Sequence, residues 1–155
     1  MRLRGWIIAL TVCALTPFAL AQSGINAATG EQYVPRLGDI MNAAQLRHMK
    51  LWFAGKALNW ELAAYELGQL KAGLVEAASL YSGIPVTSVS TMAEPVQSIS
   101  DAITARDGRR FSNAIGELTN GCNACHQSME RGYIVMRIPD ASPFGNQSFT
   151  PQGKH

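Results

Sequence analysis

From Asn59 to Gly83 the chain reads NWELAAYELGQLKAGLVEAASLYSG, and Trp60, Ala63, Leu67, Leu70, Leu74, Ala77 and Tyr81 recur in it at steps of three and four. A half-buried strand would place apolar residues at every second position, so this period specifies a helix. Asn59 supplies a side-chain oxygen as N-cap, Glu61 puts negative charge in the first turn, and Gly83 followed by Pro85 ends the run. The spacing predicts a helix over about 59–82. One apolar stripe of that length needs other elements to cover it.

Three further stretches supply them. Leu37, Met41, Ala44, His48, Leu51 and Gly55 form one face of a helix over about 38–55, widened by Ile40 and Trp52, with Asp39 near its start. After the connection IPVTSVS, TMAE has the form of a capping box, Thr91 as cap and Glu94 returning the bond. Pro95 still falls in the first turn, where backbone N–H groups lack intrahelical partners. Val96, Ile99 and Ile103 are the inward side of this third helix, which ends near Arg106. Asp107-Gly108 punctuates the chain. A fourth helix then carries Phe111, Ile115, Leu118, Cys122, Cys125 and Met129 on one side, with Gly132 as its C-cap. Four amphipathic helices with short connections predict an all-α fold, an antiparallel up-down-up-down four-helix bundle over 37–132. Residues 22–36 read as a flexible lead-in, and 133–155, with three prolines and no helical period, as an extended C-terminal tail across the bundle.

The first 21 residues stand apart. Arg2 and Arg4 precede an apolar run from Trp6 to Leu20, and ALA before Gln22 is a small-x-small cleavage site, the layout of a secretory signal peptide. A run of about 15 apolar residues broken by Pro17 is short for a membrane span. Cys13 as a lipidated residue is disfavoured by the bulky Val12 before it. Cleavage after Ala21 predicts an exported, periplasmic chain with no membrane span. It also removes two of 13 basic side chains, leaving 11 against 11 acidic ones. Formal neutrality excludes a basic nucleic-acid footprint, and only Cys122 and Cys125 remain as thiols.

Those two belong to Cys-Asn-Ala-Cys-His, residues 122–126. Thiols three apart on a helix are about one turn from each other and face the same way, as thioether bonds to two vinyl groups on one porphyrin edge require. The next residue, His126, can then offer an imidazole nitrogen to the iron, and C-x-x-C-H is the attachment pattern of c-type haem. Such attachment takes place outside the cytoplasm, in keeping with the leader. A structural zinc site would want four ligands, and no second cysteine pair exists. A thioredoxin-like pair would sit beside a strand–helix–strand pattern, which is lacking.

A four-helix bundle with C-x-x-C-H late in its fourth helix resembles the cytochrome c prime family, over roughly residues 37–131. Beyond the motif the resemblance is architectural. It implies one covalent haem c within the bundle, tethered by Cys122 and Cys125, with His126 as proximal iron ligand and a side chain of the first helix on the other face. Two departures stand out: family members usually keep that face apolar and the iron five-coordinate, whereas His48 lies on the inward stripe here, and this chain continues 29 residues past His126.

His48 is the first candidate for the sixth iron ligand; the alternative reading is a packed core histidine bonding a carbonyl or a haem propionate. Met41, two turns away on the same stripe, about 10 Å along the axis, ranks second. Met136 could fold back from the tail, and His155 is terminal. Trp52, Trp60 and Tyr65 could line the haem, and Arg47, Arg131 and Arg137 could pair with propionates, although core packing and exposed surface account for such residues equally well. No Ser-His-Asp arrangement, phosphate loop or paired acid motif is present, so no enzymatic activity is expected. One-electron transfer with other exported redox proteins is the expected role, in a chain that could pair as a homodimer. The alternatives are a five-coordinate haem protein that binds nitric oxide or carbon monoxide, and a haem subunit of a larger oxidoreductase.

Overall fold

The structure is a computed structural model and describes residues 33–84 and 92–153. The chain divides into two units, Met1–Tyr33 and Val34–His155, and the first lies almost wholly outside the described residues. The leader with its cleavage point at Ala21, Cys13, Thr91, most of the 84–90 connection and His155 also fall outside them.

Among the described residues there are four helices and no strand: α1 (Leu37–Lys56), α2 (Trp60–Leu80), α3 (Ala93–Thr104) and α4 (Gly108–Ser128). α1 packs on α2, α2 on α3, α3 on α4, and α4 returns to α1. This is the closed arrangement of a four-helix bundle. No helix among the described residues is long and apolar enough to cross a membrane.

Part of each predicted inward stripe forms the core. Leu51 and Ala54 of α1, Ala63, Leu67 and Leu70 of α2, Val96, Ile99 and Ile103 of α3, and Phe111, Ile115 and Leu118 of α4 form one buried cluster. At Gly55 α1 approaches α4 closely, because the ring of Phe111 occupies the space a side chain would fill. Trp60 packs edge-on against the same ring, centroids 5.9 Å apart. At the other end of α4, a Cβ on Gly121 would lie 2.7 Å from the Met92 sulfur, so the start of α3 sits against the residue just before Cys122.

Two corners between helices are short, three residues each. At the end of α1, Leu58 takes a left-handed conformation (φ 57°). Its N–H donates to the Gly55 carbonyl, and that of Asn59 to the Ala54 carbonyl. These are the paired bonds of a Schellman motif. Asn59 is already the N-cap of α2, its side chain accepting from the Leu62 N–H. The second corner repeats the device: Arg106 is left-handed, and Asp107 donates its N–H to Ala102 while capping Arg109 and Arg110 of α4. Those backbone bonds, that to Arg110 foremost, hold the Asp107 carboxyl below its ordinary pKa.

Helix ends depart from expectation in two places. Gly132 is not the C-cap of α4: the helix stops at Ser128 with Met129 as C-cap, and Glu130 takes the left-handed position (φ 57°). The N–H groups of Glu130 and Arg131 donate to the carbonyls of Gln127 and His126, a third Schellman motif that closes without glycine. α3 begins at Ala93 with Met92 as N-cap and no side-chain capping bond.

Candidate functional site

Cys122, Cys125 and His126 occupy the last two turns of α4. Both cysteines are free thiols, partly buried, and Cys122 packs against the core cluster. Burial, and secondarily the neighbouring Cys125, pushes the Cys122 thiol up to about 11, so at neutral pH it keeps its proton. Among the described residues no group of three or more His, Cys, Asp or Glu forms a metal-ion cage.

The His126 ring is held. Its Nδ1 lies 2.8 Å from the Ile134 carbonyl oxygen. A carbonyl can only accept, so the neutral ring carries its proton on Nδ1 and presents a bare lone pair on Nε2. Metal-bound histidines are commonly arranged this way, the second ring nitrogen donating to a carbonyl or carboxylate. The residues therefore fit a haem iron on His126 Nε2, with thioethers on Cys122 and Cys125.

Asn123, inside the same motif, grips the chain beyond the helix twice. Its Oδ1 accepts from the Met136 N–H at 2.7 Å, and its Nδ2 donates to the Met136 carbonyl at 3.0 Å. Residues 129–153 contain neither helix nor strand, yet they are bonded at further points. Trp52 Nε1 donates to the Pro139 carbonyl, 3.1 Å, and Asn59 Nδ2 to that of Phe149, 3.2 Å. Ile138 and Phe149 pack against the core, and Phe149 stacks obliquely with Phe53 and Phe144.

His48 is buried and stands 2.9 Å through Nε2 from the Thr119 hydroxyl on α4. That hydroxyl gives its own proton to the Ile115 carbonyl, 2.7 Å. Thr119 therefore accepts, His48 carries its proton on Nε2, and its buried Nδ1 has no partner among the described residues. Burial lowers the His48 pKa below 6.5. In the unfolded chain the ring takes up a proton near pH 6.5, whereas the folded state resists it. Folding stability contributed at this site is therefore full above that pH and is lost as pH falls through about 6.5, by at most about 1.4 kcal/mol per pH unit until the folded ring also titrates. Urea midpoints measured downward from about pH 7.5 should fall more steeply for the natural chain than for His48→Gln; equal slopes would show that His48 is not shielded.

The remaining candidates are dispersed. Met41 and Met136 are each part-buried. Arg47 is engaged with Glu66, 3.0 Å away and buried, and also lies over the exposed Tyr65 ring. Trp52 and Trp60 border the core. Arg131 and Arg137 are exposed, Arg131 reaching the Glu130 carbonyl.

Asn123, Thr119 and Glu66 did not stand out in the sequence. Asn123 could have been noticed for its place inside the motif. The partners of Asn123 and His126 are main-chain carbonyls and an N–H, which nothing in a side-chain pattern marks. Comparison with protein-family models, curated proteins and solved structures finds no match to this chain.

Proposed function

We propose that this chain is an exported monohaem c-type cytochrome that transfers single electrons. The observation that carries the reading is His126, its Nδ1–H spent on the Ile134 carbonyl, which leaves the lone pair on Nε2, without a partner among the described residues, one helical turn from Cys122 and adjacent to Cys125. The haem, when bound, supplies an iron centre that changes by one electron between its ferric and ferrous forms. Cys122 and Cys125 would hold it, each by adding S–H across a vinyl group, sulfur to one carbon and hydrogen to the other, with no net oxidation. A protonated Cys122 is the form that this addition consumes. The leader, read from sequence, supports attachment and action in the periplasm, with other exported redox proteins as partners.

We read the bundle as up-down-up-down, with the segment after α4 laid extended across it. Gly55 meeting Phe111 and His48 meeting Thr119 support this, because residue numbers rise along α1 as they fall along α4. The same register bears on the far face of the iron. From Thr119 to His126 is seven residues, about 10 Å of helix. Seven residues back along α1 from His48 is Met41, so Met41 stands about level with His126. His48 is already bonded two turns away. Of the two candidates the register favours Met41, and a thioether there would raise the reduction potential relative to a second imidazole.

The deciding experiment is the visible spectrum of the haem-loaded protein, ferric and ferrous, with and without carbon monoxide, for the natural chain, His48→Leu and Met41→Leu. A low-spin spectrum indifferent to the gas, kept in His48→Leu and lost in Met41→Leu, is the expected result. Loss in His48→Leu instead would return His48 to the iron. The engagement of His48 with Thr119 also gives the second reading its support: if Met41 does not bind, the far face is open. A high-spin natural chain that shifts promptly on adding the gas would sink electron transfer in favour of gas binding.

A further inference from the structure

We propose that Asn123 and the main chain of residues 134–136 form a positioning device for His126, through which the segment after α4 sets the orientation and basicity of the iron ligand. The inference rests on the haem reading above and adds to it a role for residues outside the attachment motif's fixed positions.

The device is a closed loop of bonds. Asn123 and His126 are three residues apart on α4, about one turn, and so lie near one face. Asn123 holds Met136 by both its N–H and its carbonyl, which leaves residue 136 no freedom to rotate or slide. Two residues earlier, the Ile134 carbonyl receives the His126 Nδ1–H. Ile134 is steadied from behind by its own N–H, which donates to the Arg131 carbonyl at 2.8 Å. Arg131 in turn donates its N–H to the His126 carbonyl at 2.7 Å. The acceptor for His126 is thus fixed on both sides by bonds that start and finish on α4. Farther along, Trp52 holds Pro139 and Ile138 packs on the core, so the segment is seated on α1 as well.

This arrangement does two things to an imidazole. It selects the tautomer with the proton on Nδ1, where free imidazole side chains prefer the other nitrogen. It also lends electron density to Nε2, because a hydrogen bond donated from one ring nitrogen raises the basicity of the other. A more basic ligand favours ferric over ferrous iron. Releasing Met136 should therefore free the Ile134 carbonyl, let the ring turn, and raise the reduction potential.

The test uses the full chain in two forms. In the haem-free protein above pH 8, nitrogen-15 NMR of His126 should report Nδ1–H in the natural chain. It should move towards Nε2–H in Asn123→Ala, which loses both bonds, and in Met136→Pro, which lacks the N–H. Met136→Leu keeps its main chain and should behave as the natural protein. In the haem-loaded protein, Asn123→Ala and Met136→Pro should each raise the potential. The double variant should do no more than either alone, since both cut one path. Circular dichroism confirms that the helices persist. An Nε2–H tautomer in the natural chain, an unmoved potential, or additive shifts in the double variant would each overturn the proposal. Failure of the natural chain to hold haem covalently would instead sink the cytochrome reading, while the NMR result would still decide whether Asn123 positions His126.

Discussion

Replacing both Cys122 and Cys125 with alanine is expected to give a protein from which acidified organic solvent extracts all of the haem, while the unchanged chain keeps its haem in the protein fraction. On the haem reading, acid detaches an imidazole ligand from the iron, so only covalent links would survive the treatment. Thioethers are indifferent to acid, and each cysteine would supply one. Cys122→Ala or Cys125→Ala alone should retain the haem through the remaining link, with the reduced pyridine complex absorbing at a wavelength between those of the natural chain and free haem. The bundle should tolerate these changes. Both side chains are small and only partly buried, and losing the Cys122 sulfur from the edge of the core costs about 1 kcal/mol. Haem released from the natural chain by this treatment would remove the assignment of the motif.

The second large effect concerns packing. Gly55→Ala should destabilise the fold by about 2 kcal/mol, because overlap with a buried ring puts the overpacking cost at the top of its usual range, about 3 kcal/mol, against about 1 kcal/mol gained from replacing glycine inside a helix. The new methyl would meet three carbons of the Phe111 ring. That ring is buried and braced by Trp60, so it has nowhere to go. A fall of roughly 8 °C in Tm is the corresponding thermal change. Gly68→Ala on α2 is the control: a Cβ there meets open space, and the helix should gain up to about 1 kcal/mol. Adding Phe111→Leu to Gly55→Ala should cost less than the two changes separately, because the smaller side chain makes room for the methyl. Strict additivity in that cycle would mean that the contact does not limit the approach of α1 to α4.

Helices and core were largely legible because period and burial are the same fact seen twice. Leu51, Leu67, Ile99 and Leu118 lie on stripes that a 3.6-residue repeat exposes directly, and all four are buried. Asn59 was legible as a cap because an amide oxygen in front of an apolar run has one obvious use. The end of α4 was misread because glycine is the usual occupant of a left-handed position, yet Glu130 takes it and Gly132 does not. The main-chain bonds of the third Schellman motif settle that choice, and they are invisible in side-chain chemistry. Arg47 and Glu66 were hidden for another reason. A charged residue on a helix reads as solvated, but the two meet across α1 and α2, and only tertiary packing brings them together. The thiols and His126 could be read from spacing alone. Their surroundings, Asn123 with Met136 and His126 with Ile134, could not, since every residue but proline has an N–H and every residue has a carbonyl.

Asn59 and Asp107 each close one helix while opening the next, and this limits how the chain can change in length. Between α1 and α2, and again between α3 and α4, there is no spare residue to delete. An inserted one would turn the following helix by about 100° about its own axis and swing its apolar stripe out of the core. Insertions and deletions inherited by descendants of this chain should therefore collect in the longer connection from 81 to 92 and at the two chain ends.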